Sequence, residues 1–165
     1  KEIIKKIEAW KHKDPEKWRG YGRGATGKTE GVIFKKINWV TEMPTDLKTV
    51  SFGMDFGFTN DPTTLVKCGV SDGELYAERW IYDHGMTTKD ISDTLKDLGI
   101  STKQVIYADS SGPKTIHELR IQGWAVKGAK KGSDSIRHGI DSIKKYEALN
   151  IVNCKHWKNE QISYI

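Results

Sequence analysis

The sequence predicts an α/β domain built on one mixed central sheet, in which an antiparallel three-strand meander is joined by parallel strands and flanked by helices. Three observations predict this. Residues 49–83 contain three successive runs rich in Val, Thr, Phe, Tyr and Trp, bounded by turn residues. The tripeptide SDG at 71–73 separates the second run from the third and signals a tight hairpin turn. From residue 88 onward, stretches with apolar residues every three or four positions alternate with short apolar runs, the order of helices and strands in a covered sheet.

The elements follow in order. Residues 2–11 place Ile3, Ile4, Ile7 and Trp10 at helical spacing, and Pro15 ends that short helix. Residues 19–31 carry five glycines and read as an irregular connector. GVIFKKINWV is a short β-prone run, and Pro44 in EMPTDLK marks a boundary. Residues 1–47 are therefore expected to be a connector, and 48–165 the main domain.

VSFGMDFG, TTLVKCGV and ELYAERWIYD are the three strands of the meander. TTKDISDTLKDLG is a helix with Thr88 as cap, Ile91, Leu95 and Leu98 as its apolar stripe, and Gly99 as its stop. QVIYAD is a buried-type strand that runs out at Asp109. In SGPKTIHELRIQG, Pro113 suits a first helical turn and Gly123 follows the end. WAVKGA is a fifth strand, and SDSIRHGIDSIKKYEAL a third helix with Ser133 as cap and Ile136, Ile140 and Ile143 as stripe. NIVNC is a brief strand, and HWKNEQISYI begins a last helix.

Composition excludes some classes. No apolar run approaches the roughly 20 residues of a membrane span. The charged amphipathic start lacks the apolar core of a signal peptide. Cys68 and Cys154 form no metal-ligand spacing and fit free thiols in a reducing compartment. A start without Met and an end at SYI mark the chain as an expected fragment. The net charge is +5, but its distribution says more. Residues 1–48 carry 12 basic and 7 acidic residues, 49–109 carry 5 and 10, and 110–165 carry 10 and 5. An acidic middle between basic flanks suits carboxylates for metal ions and cations for a polyanion.

The acidic middle has two focal points. Asp55 in GMDFGFTNDPTT and Asp109 in VIYADSSGPK each sit where an apolar strand runs out. Met54 and Phe56 should point away from Asp55, and Gly53 and Gly57 keep the backbone around it open. An Asp inside an apolar strand is costly to bury unless paired or metal-bound. Asp109 could instead cap the next helix, but Ser110 and Ser111 could do that equally well. Carboxylates from neighbouring strand ends can share divalent ions, as in enzymes that cut phosphodiester bonds with two metals. Candidates for a third ligand are Asp61, Glu78, Asp134 and Asp141. Asp61 suits the turn before Pro62, Glu78 lies mid-strand, Asp134 suits a helix first turn, and Asp141 the solvated side of that helix.

Two further patterns stand out. GRGATGKT at 22–29 matches the G-x-x-x-x-G-K-[ST] phosphate-binding pattern letter for letter. That pattern works between a buried strand and a helix, whereas DPEKWRGY is no buried strand and EGVIFKK a poor helix start. A Gly-rich connector is expected there, with a nucleotide-binding module using Lys28 and Thr29 as the alternative. Lys28 and Arg23 could still touch phosphates. In KGAKKGSDSIRHG, Lys127, Lys130, Lys131 and Arg137 flank glycines at a strand-to-helix junction, a surface suited to the DNA backbone. His117, His138 and His156 are isolated.

The element order is also that of the ribonuclease H-like fold, in which a carboxylate on the first strand lies beside one on the fourth. GMDFGFTNDPTT, YADSSGPKTIHELRIQGW and KKGSDSIRHGIDSIKKY, in that order, resemble the C-terminal nuclease part of the large terminase subunit of tailed bacteriophages. GYGRGATGKTEGVIFKKINWV resembles the connector from the motor ATPase domain. The resemblance implies a metal-dependent endonuclease that cuts concatemeric double-stranded DNA, with Asp55 and Asp109 binding Mg²⁺ or Mn²⁺. It implies the small terminase subunit and the portal protein as partners, and the cytoplasm of the bacterial host as location. The family's third acidic ligand lies beyond the helix that NEQISYI begins, so the fragment is expected to hold an incomplete site. Another ribonuclease H-like nuclease, such as a resolvase or transposase core, is the other enzyme reading, and a catalytically silent DNA-binding or assembly module the non-enzymatic one.

Overall fold

The computed structural model describes residues 33–34, 37–57, 60–130 and 132–152. The expected helices at 2–11 and from His156 onward, and the GRGATGKT segment, lie outside the described residues. Seven strands form one sheet: β1 (Ile37–Val40), β2 (Thr49–Asp55), β3 (Pro62–Ser71), β4 (Glu74–His84), β5 (Ile106–Ala108), β6 (Val126–Gly128) and β7 (Leu149–Val152). Their spatial order is β1-β7-β4-β3-β2-β5-β6. β2, β3 and β4 are the antiparallel meander, β5 and β6 extend it parallel to β2, and β7 and β1 extend it parallel to β4. Three helices are described: α1 (Thr88–Asp97), α2 (Pro113–Ile121) and α3 (Ser135–Ile143).

The hairpin signal holds. Asp72 and Gly73 alone connect β3 to β4, with φ of 48° and 82°. Two positive φ values make the turn whose twist matches that of the strands it joins. The β3–β4 register shifts at Leu65/Val66, so that Arg79 faces Val66 and Ile81 faces Leu65, with Trp80 as the extra residue between them.

Alternation along β2 sorts its two faces: Phe52 and Met54 are buried, while Gly53 and Asp55 are exposed. Phe52 and Met54 join Leu65, Ile81, Ile106 and Ala108 under Ile91 and Leu95 of α1 and Ile116 and Leu119 of α2. Trp124 closes this core, and its indole N–H donates to the buried Ser92 hydroxyl at 2.8 Å.

α1 begins one residue earlier than expected. Thr87, not Thr88, is its cap: the Thr87 hydroxyl accepts from the Asp90 amide at 3.2 Å, and the Asp90 carboxylate accepts from the Thr87 amide at 2.9 Å. Asp90 at the third helical position completes this reciprocal pair, which Thr88 could not form. Thr88 instead donates to Glu118 of α2 at 2.5 Å.

α3 departs further. Its N-cap is Asp134 rather than Ser133, and it stops at Ile143, leaving Leu149–Val152 free to be a strand. None of its residues is buried, and Ile136 is 73% exposed, so the expected stripe is not a core face among the described residues.

β1 lies on the connector side of the Pro44 boundary, yet it is an edge strand of this same sheet. The buried Asn150 of β7 accepts from the Asn38 side chain at 3.0 Å and donates to Glu74 of β4 at 2.8 Å. The Tyr76 hydroxyl also donates to Glu74, at 3.0 Å, and that bond pushes its pKa above the usual tyrosine value. A chain of polar side chains therefore fixes the register of three strands. No described helix is long and apolar enough to cross a membrane.

Candidate metal and nucleic-acid site

The parallel pairing of β2 with β5 ends at Met54↔Ala108, and the next residue on each strand is an aspartate. The Asp109 amide donates to the Met54 carbonyl at 3.0 Å, which carries the pairing one step further. Met54 and Ala108 face the helices, so Asp55 and Asp109 leave adjacent strand ends toward the opposite face.

Asp55 is exposed rather than buried inside its strand, so no desolvation cost has to be offset. Asp109 does perform a structural task. Its Oδ1 accepts from the Ser111 amide at 3.1 Å, closing a turn, while the helix cap itself is Gly112 without a side-chain bond. That turn holds the carboxylate in one orientation.

Two glycines let the loops after the strands close up. A Cβ on Gly57 would lie 2.0 Å from the Asp61 carbonyl oxygen, and one on Gly112 would lie 2.7 Å from the Phe56 ring. Phe56 thus packs over Gly112 and ties the Asp55 loop to the Asp109 loop. On the helix side of these loops lies a cleft of about 730 Å³, where Phe56, Gly57 and Thr63 meet Ser111, Gly112 and Lys114. Sequence reasoning missed this cleft, because only the pairing of β2 with β5 brings Phe56, Gly57 and Thr63 beside residues 111–115.

The proposed third ligands scatter. Glu78 pairs with Lys67, which pairs with Phe52, so it projects to the core face and accepts from the Trp80 indole at 2.8 Å. It is thereby removed from the aspartate pair. Asp61 is exposed, with its backbone against Gly57. Asp134 caps α3 and Asp141 lies exposed on it. Among the described residues no three His, Cys, Asp or Glu side chains gather closely enough to hold a metal ion.

The cations are also dispersed. Lys127 is exposed on β6, opposite Tyr107 of β5. Lys130 follows β6 and lines a hollow of about 330 Å³ with Ser133, Asp134 and His138. Arg137 is exposed on α3, and Lys131 lies outside the described residues. Cys68 is a free thiol, and burial pushes its pKa up, which makes it a poor nucleophile.

A meander followed by parallel strands, with carboxylates at the ends of the first and fourth strands of that series, is the ribonuclease H-like arrangement. A sequence model described as the terminase RNAseH-like domain matches residues 55–164, and the chain belongs to that family. It is 28% identical over 160 residues to the large terminase subunit of Bacillus phage SPP1, covering 92% of this chain and 38% of that protein. The crystal structure of the SPP1 large terminase nuclease domain with bound Mn is 26% identical, with a TM-score of 0.66 over 78% of each chain. The large terminase nuclease of thermophilic phage G20c with bound magnesium shares the fold at 19% identity, with a TM-score of 0.60 over 80% of this chain and 79% of that one. The chain thus spans 38% of the length of its SPP1 relative.

Proposed function

We propose that this chain is the DNA endonuclease part of a phage large terminase subunit, cutting concatemeric double-stranded DNA by metal-dependent hydrolysis at Asp55 and Asp109. The observation that carries the reading is the pair of aspartates leaving adjacent parallel strand ends toward one face. Membership of the terminase family and the Mn-bound SPP1 nuclease domain support it.

The donor set fits the ion. Two carboxylates are hard oxygen ligands, and Mg²⁺ is commonly bound through one or two carboxylates with water and substrate phosphate completing its shell. Asp55 and Asp109 would hold one or two Mg²⁺ or Mn²⁺ ions. Divalent ions so placed supply charge stabilisation at the scissile phosphate and a more acidic water. Asp55, being exposed, leaves its side open to a nucleic-acid backbone, and Asp109 is kept in orientation by the Ser111 amide. Lys127, Lys130, Lys131 and Arg137 would bind backbone phosphates, which positions the duplex without reading its sequence. In the whole terminase, residues 1–47 would connect to the motor ATPase domain, and the small subunit and portal protein would be partners in the host cytoplasm.

The test is plasmid nicking in Mn²⁺ by the parent chain, by a chain extended C-terminally to supply further acidic residues, and by Asp55→Asn and Asp109→Asn in each. Loss of nicking by about a hundredfold or more, roughly 2.7 kcal/mol of barrier lowering, is expected from either substitution. Nicking unaffected by both would refute the site.

A further inference from the structure

Arg79 is a cation that neither the carboxylate pair nor the basic cluster accounts for. Its Nη1 is buried and lacks a hydrogen-bond partner among the described residues. Its guanidinium lies over the Tyr82 ring, 4.8 Å from the centroid, so the side chain is held in place. A buried donor left unpaired costs more than a satisfied one contributes, and each such group calls for a cause.

The sheet register places this cation on the aspartate side of the sheet. Arg79 pairs with Val66, Val66 with Gly53, Gly53 with Tyr107, and Tyr107 with Lys127, a single row across five strands. Directly paired residues share a face, and Gly53 shares the face of Asp55 by alternation. The irregularity at Leu65/Val66 puts Arg79 in this row, while Trp80 turns to the core face, 5.3 Å from Phe52. The middle of the row is low: a Cβ on Gly53 would meet nothing within 4 Å, and Val66 is half-buried. Tyr107, 49% exposed, offers a ring beside that floor.

Four strand spacings separate Arg79 from Lys127, about 19 Å. Successive phosphates along one DNA backbone lie about twice the 3.4 Å axial rise apart, so that span covers about three of them. The row runs one pair step, about 7 Å, behind the strand ends that bear Asp55 and Asp109.

We propose that Arg79 and Lys127 are the two ends of a phosphate-binding track that crosses the sheet over Gly53 and lays one DNA strand beside the aspartates. Arg79 is then a positioning residue for the cleavage, an assignment that rests on the nuclease reading above. Its planar fork suits two oxygens of one phosphate.

Duplexes of two unrelated sequences, titrated in EDTA over a salt series, test the track by fluorescence anisotropy. Arg79→Gln is expected to weaken binding about tenfold, equally for both sequences, and to lower the slope of log K against log salt by about one. Arg79→Lys should restore the slope but not the full affinity, because an ammonium is a point charge. Gly53→Val should weaken binding with an unchanged melting temperature. Binding by Arg79→Gln with the parent's affinity and salt slope overturns the proposal, as does a loss that Arg79→Lys leaves entirely unrestored. Asp55→Asn and Asp109→Asn report separately on the reaction. If they abolish nicking while Arg79→Gln binds normally, only the track fails. If the parent binds neither duplex, both readings fail.

Discussion

Gly57→Ala is expected to be the most damaging single methyl group in the aspartate loops. The new Cβ would lie 2.0 Å from the Asp61 carbonyl oxygen, 2.4 Å from the Pro62 carbonyl carbon and 2.5 Å from the Thr63 nitrogen. All three are backbone atoms, so no side-chain rotation relieves the contact. Carbon contacts settle near 3.5–4.0 Å, so the loop must open by more than about 1 Å. That movement would also stretch the bond from the Gly57 amide to the Thr63 hydroxyl, now 3.1 Å. Overpacking typically costs about 1–3 kcal/mol, and a clash made only of backbone belongs at the upper end, about 3 kcal/mol. For a domain of this size that corresponds to a fall in Tm of about 10 °C. Asp55 lies two residues away, and a misplacement of about 1 Å can cost on the order of a hundredfold in rate. Gly53→Ala is the control on the other side of Asp55, because its Cβ meets nothing within 4 Å. It should stay within about 0.5 kcal/mol of the parent. Thermal unfolding by circular dichroism, with plasmid nicking on the same samples, checks both. A Gly57→Ala protein melting within about 2 °C of the parent would refute the steric reasoning.

Thr87→Ala should cost about 1 kcal/mol by removing the α1 cap, read as a lower Tm. The partner carboxylate gives that cap a pH signature. Hydrogen bonds from the Thr87 side chain and backbone hold the Asp90 pKa below its ordinary value, so its contribution is full above the unfolded value of about 3.9 and is lost as pH falls through the depressed folded value. Melting curves from pH 7 to pH 3 should show the parent and Asp90→Asn converging only at the acid end, and a gap of constant size would contradict the linkage. Asn150→Ala should cost about 1–3 kcal/mol by stripping partners from Asn38 and Glu74, and hydrogen exchange of residues 37–40 should rise the most.

Local signals were legible in the sequence wherever one stretch of chain determines its own structure. SDG became the hairpin turn, Gly99 and Pro113 bounded helices, and the alternation around Asp55 sorted its neighbours correctly. The adjacency of the strand ends that bear Asp55 and Asp109 needed only the strand order, which the element pattern supplied. What stayed hidden depended on partners distant in sequence. The face of Glu78 follows from a register shift between β3 and β4 that period-two reasoning cannot anticipate. β1 read as part of a connector because its partner, β7, lies beyond eight other described elements, five strands and three helices. The stripe of α3 has helical spacing but no covering surface among the described residues, and periodicity alone does not say what a face packs on.

The pairing of β1 with β7 also sets a schedule. The bond from Asn38 to Asn150 joins residues 112 positions apart. On a ribosome adding about 5–20 residues per second, β1 emerges roughly 5–20 s before its partner strand exists. Through that interval the meander can close around its hairpin and α1 can dock, yet the edge of β4 stays open and β1 has nothing to pair with. The last of the described strands to be synthesised is the one inserted between them, so this half of the described sheet is finished from its middle.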